Sequence, residues 1–172
     1  MLQKSSVVGD IEKNYKVLKE SYKKNFSKNC DFFLTTELFL SGYPPQDLIF
    51  RKDFLDKIQL YKKKIIKLTK NKKTIILINI PEKKNKEIFN VLYLFENGKV
   101  VFKKIKSILP NYGVFDEKRY FSEGKINNDS FSYKRKKIKF LICEEMWSKK
   151  TFKKLKEKID LLISINASPF EK

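Results

Sequence analysis

Residues 74–80 form a nearly unbroken apolar run, Thr-Ile-Ile-Leu-Ile-Asn-Ile. A short run of this kind, rich in β-branched residues, reads as a central strand covered on both faces. After a polar stretch at 81–86, read as a loop, two more strand-like segments at 88–96 and 99–105 flank Asn97-Gly98. Asn-Gly between such segments is the strongest short hairpin signal, because a two-residue type I′ turn needs positive φ at both positions. These residues therefore commit to a sheet with antiparallel pairing. The rest of the chain must supply the layers that cover it.

Helical periodicity supplies one layer. After Gly9-Asp10, which reads as a turn and an N-cap, Ile11, Tyr15, Leu18, Tyr22 and Phe26 recur at one face of a helix. Phe54, Ile58, Tyr61, Ile65 and Leu68 predict a second amphipathic helix over 52–71. Phe32-Phe33-Leu34 opens a buried strand that runs to Thr35-Thr36-Glu37, and Gly42 with Pro44-Pro45 makes a rigid loop able to present Tyr43. Residues 124–137 read as a surface loop and a basic edge segment. Residues 138–143 and 160–166 read as buried strands on either side of a short helix at 150–158. Strands alternating with helices, without repeat or linker, predict an α/β architecture in one domain, 1–172.

Several classes of function are excluded. The sequence has no histidine, so Ser-His-Asp and Cys-His catalysis and imidazole-dependent zinc sites are out of reach within the chain. A general base must be Glu, Asp, Lys or Tyr. Cys30 and Cys143 are the only cysteines. With no disulfide framework and no Cys-x-x-Cys pair, they point to a reducing, cytoplasmic setting. The first residues contain no apolar signal core, and no apolar run reaches membrane-span length. The net charge of +19 raises nucleic acid as a partner. However, the lysines are spread along the whole chain, and Arg51, Arg119 and Arg135 are the only arginines, so most of this charge reads as solvated face.

Two residue environments suggest chemistry. The run Phe140-Leu141-Ile142 delivers Cys143 and then stops at Glu144-Glu145. A cysteine at the carboxyl end of a buried strand sits where open α/β sheets place ligands, although a small core hydrophobe fits the same pattern. Glu37 is a carboxylate in apolar sequence. It reads either as a base whose pKa burial has raised or as a side chain hydrogen-bonded at a strand end. The loop at 106–121 is aromatic and charged, a composition typical of functional loops. Glu37, Lys106 and Cys143 each follow a predicted strand, and a thiol, a carboxylate base and a cation suffice for acyl transfer on an amide. Neither composition nor periodicity selects Lys106 among so many lysines.

A resemblance does select it. The blocks Val8-Gly9-Asp10-Ile11, Glu37-Leu38 with Ser41-Gly42-Tyr43-Pro44-Pro45, Leu109-Pro110-Asn111-Tyr112-Gly113-Val114-Phe115-Asp116-Glu117, Ile142-Cys143-Glu144 with Trp147, and Asn166-Ala167-Ser168-Pro169-Phe170 span most of the chain. Together they resemble the nitrilase, or carbon–nitrogen hydrolase, superfamily, and within it the glutaminase domain of glutamine-dependent NAD synthetases. The resemblance implies a nitrilase-type α-β-β-α sandwich, incomplete at its C-terminal end. It implies Cys143 as nucleophile on the glutamine side-chain amide, Glu37 as general base and then acid, Lys106 as stabiliser of the tetrahedral intermediate, and Glu117 as the residue that orients them. The Glu144 backbone N–H would complete the oxyanion site, and Tyr43, Tyr112, Trp147 and Ser168 would line the glutamine pocket.

The sequence also departs from the family pattern. Thr36 stands where the family usually has proline, and Glu145 where it usually has aspartate. The resemblance implies that residues 1–172 stop short of the family's last strands and helices and carry no synthetase domain with its Ser-Gly-Gly-x-Asp-Ser loop. No cofactor or metal is therefore expected on this chain, since ATP and magnesium would belong to the synthetase domain. The expected partners are glutamine, a synthetase domain or chain, and further copies in a homo-oligomer. Three alternatives stand beside this reading: another small-amide amidase, an inactive fragment or half of a split synthetase, and a basic binding protein.

Overall fold

The computed structural model describes residues 1–24, 29–127, 129–154 and 158–168. Phe26, Pro169 and Phe170 lie outside the described residues. Helix α1 (Ile11–Lys24) begins as its sequence predicts. Asp10 caps it, with Oδ1 accepting the Lys13 N–H at 3.0 Å. Helix α2 (Lys52–Leu68) lies beside it, and the Tyr15 and Tyr61 rings meet edge to face at 5.0 Å.

Both helices cover one face of a four-stranded sheet of order β1-β2-β3-β4. Its strands are β1 (Phe32–Leu34), β2 (Ile75–Lys84), β3 (Glu87–Glu96) and β4 (Lys99–Ile105). β1 runs parallel to β2, and the other two pairings are antiparallel. Strand alternation then sorts the residues of β2. Ile76, Ile78 and Ile80 pack with Ile11, Leu18, Ile58 and Ile65 of the helices. Ile75 and Leu77 join Leu92, Leu94, Ile138, Phe140, Ile142 and Ile165 in a second core between two sheets. Burial on both faces accounts for the apolar run that marked β2. Each fully buried Ile or Leu there contributes about 2 kcal/mol relative to exposure.

The second sheet has order β5-β6-β7. β5 (Phe131–Tyr133) pairs antiparallel with β6 (Lys136–Ile142), which runs parallel to β7 (Leu161–Ile165). The described residues thus form three layers, helices, sheet and sheet. Short α3 (Lys149–Lys154) contacts the 3₁₀ turn Cys143–Trp147.

Three expectations need correction. Residues 81–84 are not a loop: β2 continues through them, and the turn falls at Asn85-Lys86, with Asn85 at φ 57°. Pro81 is tolerated because β1 pairs with β2 only as far as Leu77, so beyond that point β2 has one described neighbour. Residues 124–137 hold β5 and a tight turn at Lys134-Arg135, both at positive φ. β1 stops at Leu34, and Glu37 sits in the turn beyond it.

This topology determines where the site can be. β4 points the same way as β1, and Lys106 follows it directly. Cys143 follows β6 directly. Beyond β7, the Asn166 carbonyl accepts the Glu37 N–H at 3.2 Å, joining the strand ends of the two sheets.

Candidate active site

Lys106 is the centre of the cluster. Its side chain is completely buried, and Nζ lies 2.8 Å from Glu37 Oε1 and 2.8 Å from Glu117 Oε1. Burial alone would lower its pKa, but the two carboxylates outweigh that and raise it, so the ammonium is firmly charged. Glu117 reaches the cluster from a short 3₁₀ turn (Glu117–Arg119) that the Pro110 carbonyl anchors by accepting its N–H at 3.1 Å. The Tyr43 hydroxyl donates to Glu117 Oε1 at 2.8 Å. Burial and the neighbouring carboxylates push the Tyr43 pKa up, which keeps this phenol a donor.

Two close backbone approaches hold these pieces in register. A Cβ on Gly42 would fall 2.5 Å from Val8 Cα, and its φ is +79°, so only glycine lets the Tyr43 loop pack on the N-terminal segment. A Cβ on Gly124 would meet Ile105 Cγ2 at 2.7 Å, while the Gly124 N–H bonds the Lys106 carbonyl at 2.8 Å.

Cys143 opens its 3₁₀ turn at φ 46°, a left-handed conformation rare outside glycine. Glu145 secures that bend. Its carboxylate is completely buried, accepts the Ile142 N–H at 2.9 Å, and reaches the Ser107 N–H at 2.7 Å and hydroxyl at 2.6 Å. Lys104 Nζ neutralises it at 3.2 Å. One side chain therefore ties the cysteine turn to the strand end that carries Lys106.

The Cys143 thiol is pushed up to about 11, first by burial and then by the Glu37 carboxylate. Lys106 and a hydrogen bond from the Ala167 backbone pull it down by less. The resting group is a neutral thiol that needs a base. Burial and the Glu37 carboxylate lift Glu117 to about 7 against the pull of Lys106 and Tyr43.

Hydrogen bonds thus bring Glu37, Lys106, Glu117 and Tyr43 together, and Cys143 lies within the electrostatic reach of Glu37, Lys106 and Glu117. The other predicted residues stand differently. Tyr112 is 58% exposed, and its hydroxyl donates to Glu144 Oε2 at 2.7 Å. Trp147 is 70% exposed at the end of the cysteine turn, and Ser168 is exposed beyond Ala167. They form an open, solvent-exposed rim among the described residues. Among the described residues, no three His, Cys, Asp or Glu side chains cluster as metal ligands, and no helix is long and apolar enough to cross a membrane.

The family model for carbon-nitrogen hydrolases matches residues 1–172. The chain belongs to the carbon-nitrogen hydrolase family. Its relatives within that family include the glutamine-dependent NAD(+) synthetase of Thermotoga maritima, 32% identical over 99% of this chain and 30% of the relative. The enzyme of the same name from Acinetobacter baylyi is 33% identical over 99% of this chain and 31% of its own length. The solved glutamine-dependent NAD+ synthetase of Acinetobacter baumannii, in complex with ADP, superposes with a TM-score of 0.87 at 30% identity. That match covers 98% of this chain and 32% of the synthetase. A nitrilase-superfamily amidase from Nesterenkonia shares the fold at TM-score 0.87 and 16% identity, over 99% of this chain and 65% of the amidase. The chain spans about a third of the length of the synthetases it matches.

Two parts of this site are not legible as such in the sequence. In the sequence Glu145 stands only as a departure from a pattern, whereas in the fold it is the clasp between strand ends. Asn79 and Asn90, both completely buried, extend the cluster: Asn90 Nδ2 donates to Glu37 Oε1 at 2.8 Å, and Asn79 Nδ2 donates to Asn90 Oδ1 at 3.1 Å. The signal was present, since each is an amide inside an apolar strand, where burial without a partner is costly.

Proposed function

We propose that this chain hydrolyses the side-chain amide of glutamine to glutamate and ammonia, with Cys143 as nucleophile, Glu37 as base and Lys106 as electrostatic stabiliser. The observation that carries the reading is the buried Lys106 ammonium held 2.8 Å from both Glu37 and Glu117, in the field that acts on Cys143. Glu37 removes the thiol proton as sulfur attacks the amide carbon. The carbonyl oxygen becomes an oxyanion, stabilised by Lys106 and the Glu144 backbone N–H. Glu37 returns the proton to the departing nitrogen, and ammonia leaves a thioester on Cys143. Water then attacks the thioester carbon, Glu37 takes the water proton, and glutamate is released as the thiol re-forms. Glu117, bonded to Lys106 and Tyr43, holds the ammonium in place.

The similarity to NAD synthetases supports ammonia delivery to a synthetase domain or partner chain, where ATP and magnesium would act. A cytoplasmic, reducing setting would keep Cys143 a thiol. Ammonia release from glutamine tests the reading, with Cys143→Ala as control and asparagine, acetamide and propionamide as competing substrates. The expected result is release that depends on Cys143 and is fastest with glutamine. Faster turnover of a simple aliphatic amide assigns the chain to a different amidase activity, and no Cys143-dependent release on any amide defeats the reading.

A further inference from the structure

We propose that Asn90 is a positioning residue which, with Lys106, saturates one oxygen of Glu37 and so leaves the other, Oε2, to take the Cys143 proton. The proposal rests on reading Glu37 as the general base. Glu37 Oε1 accepts from Lys106 Nζ and from Asn90 Nδ2, both at 2.8 Å. A carboxylate oxygen has two in-plane lone pairs, so Oε1 has none left for a proton. Oε2 is buried and accepts no hydrogen bond among the described residues. The basicity of the carboxylate is thereby concentrated on one atom.

Asn79 supplies the donor that Asn90 Oδ1 needs when its NH₂ faces Glu37. It lies on β2, in register with Leu92, which makes Asn90 its diagonal neighbour on the same face of the sheet. The Glu37 carboxylate can only accept, so it requires the Asn90 NH₂, and Asn90 Oδ1 in turn accepts from Asn79 Nδ2 at 3.1 Å, while Asn79 Oδ1 is buried without a hydrogen-bond partner among the described residues. The opposite flip would set an amide oxygen against a carboxylate oxygen. Asn90 acts through its backbone as well: its carbonyl accepts the Lys106 N–H at 2.9 Å. One strand residue thus fixes the carboxylate by its side chain and the lysine by its main chain. Two buried amides in the layer that otherwise holds Leu77, Leu92 and Leu94 carry a desolvation cost that an apolar core would avoid. Holding Glu37 in one orientation is what they provide.

The test is the pH dependence of Cys143 alkylation by iodoacetamide, in a Cys30→Ser background that leaves one thiol. The S–C bond forms, the C–I bond breaks, iodide leaves, and the thiol proton passes to Glu37 Oε2 and then to solvent. The rate should rise with pH through a carboxyl-controlled limb that Glu37→Gln lacks. Asn90→Leu, close in shape, removes one donor to the ionised carboxylate. Its limb should move up by about one pH unit, the size of one lost charge-assisted hydrogen bond, with a plateau about tenfold lower. Asn79→Leu should move it the same way by less, and it serves as the deciding variant if Asn90→Leu does not fold. A folded Asn90→Leu or Asn79→Leu protein with the wild-type profile overturns the proposal. Ammonia release on the same samples separates the two readings. A Glu37-dependent limb without glutamine turnover removes the substrate assignment and leaves the Asn90 role standing, whereas a limb that survives Glu37→Gln removes both.

Discussion

The floor and the rim of this site are built by different rules. On the floor, Glu37, Lys106, Glu117 and Glu145 are buried charges, each bonded to another side chain of the site. On the rim, Tyr112, Val114 and Trp147 are large apolar or aromatic groups facing solvent. A buried charge stripped of its partner is expensive, so the floor is part of what holds the two sheets together. An exposed side chain costs little to change. Chemistry and stability are therefore the same question on the floor and separate questions on the rim.

Lys106→Leu should break the floor most severely. It leaves Glu37 and Glu117 facing each other without a cation, and removing one member of a buried ion pair costs about 3–5 kcal/mol. Thermal unfolding should register this as a fall in Tm of roughly 10 °C for a chain of this size. The sign of its pH dependence follows from the carboxyls. Without the ammonium they raise each other's pKa, so the folded variant binds protons that the unfolded chain releases. The loss should therefore be larger at pH 7 than at pH 5. An equal Tm for variant and wild type at pH 7 would show that the cation is not what holds the floor.

The same contrast explains what the sequence made legible. The helices α1 and α2, the strands β2, β3, β6 and β7, and the Asn97-Gly98 turn announce themselves because burial imposes a period and a positive φ favours Asn or Gly; Asn97 and Gly98 stand at φ 45° and 75°. The Lys134-Arg135 turn takes the same backbone shape, at φ 47° and 63°, with two cations that carry no turn signal, so the segment reads as a basic edge and nothing local announces its hairpin with β6. Lys106 is chemically identical to dozens of surface lysines. What distinguishes it is its partners, 69 and 11 residues away in the chain, and no local pattern encodes such separations. Only family resemblance singled it out. The rim residues come from the same resemblance, and their exposure could not be read from it, because a motif gives residue type and order but not what lies over a side chain.

Glu117→Gln sharpens the comparison by changing the floor's charge while keeping its shape. Glu117 titrates near 7 in the folded protein, above its ordinary 4.5. A raised folded pKa gives stability that is fully present below about 4.5 and is lost as pH climbs through 7. For a gap of this size the swing is on the order of 3 kcal/mol. Urea unfolding of the wild type should weaken across that window, and Glu117→Gln should flatten the slope. A slope unchanged by the substitution would mean that the proton resides elsewhere on the floor.

Trp147→Ala and Tyr112→Phe probe the rim and should leave stability within about 0.5 kcal/mol, because neither empties a core position. Tyr112→Phe deletes only the exposed bond to Glu144 Oε2, and its Tm should match the wild type. If these side chains hold glutamine, both variants should raise KM several-fold with a smaller change in kcat, since they contribute to binding rather than to the charge that develops on the carbonyl. A fall in kcat at unchanged KM would instead place Tyr112 with the floor, acting through Glu144 on the turn that carries Cys143. A clear loss of Tm would show that the rim also helps to hold the fold together.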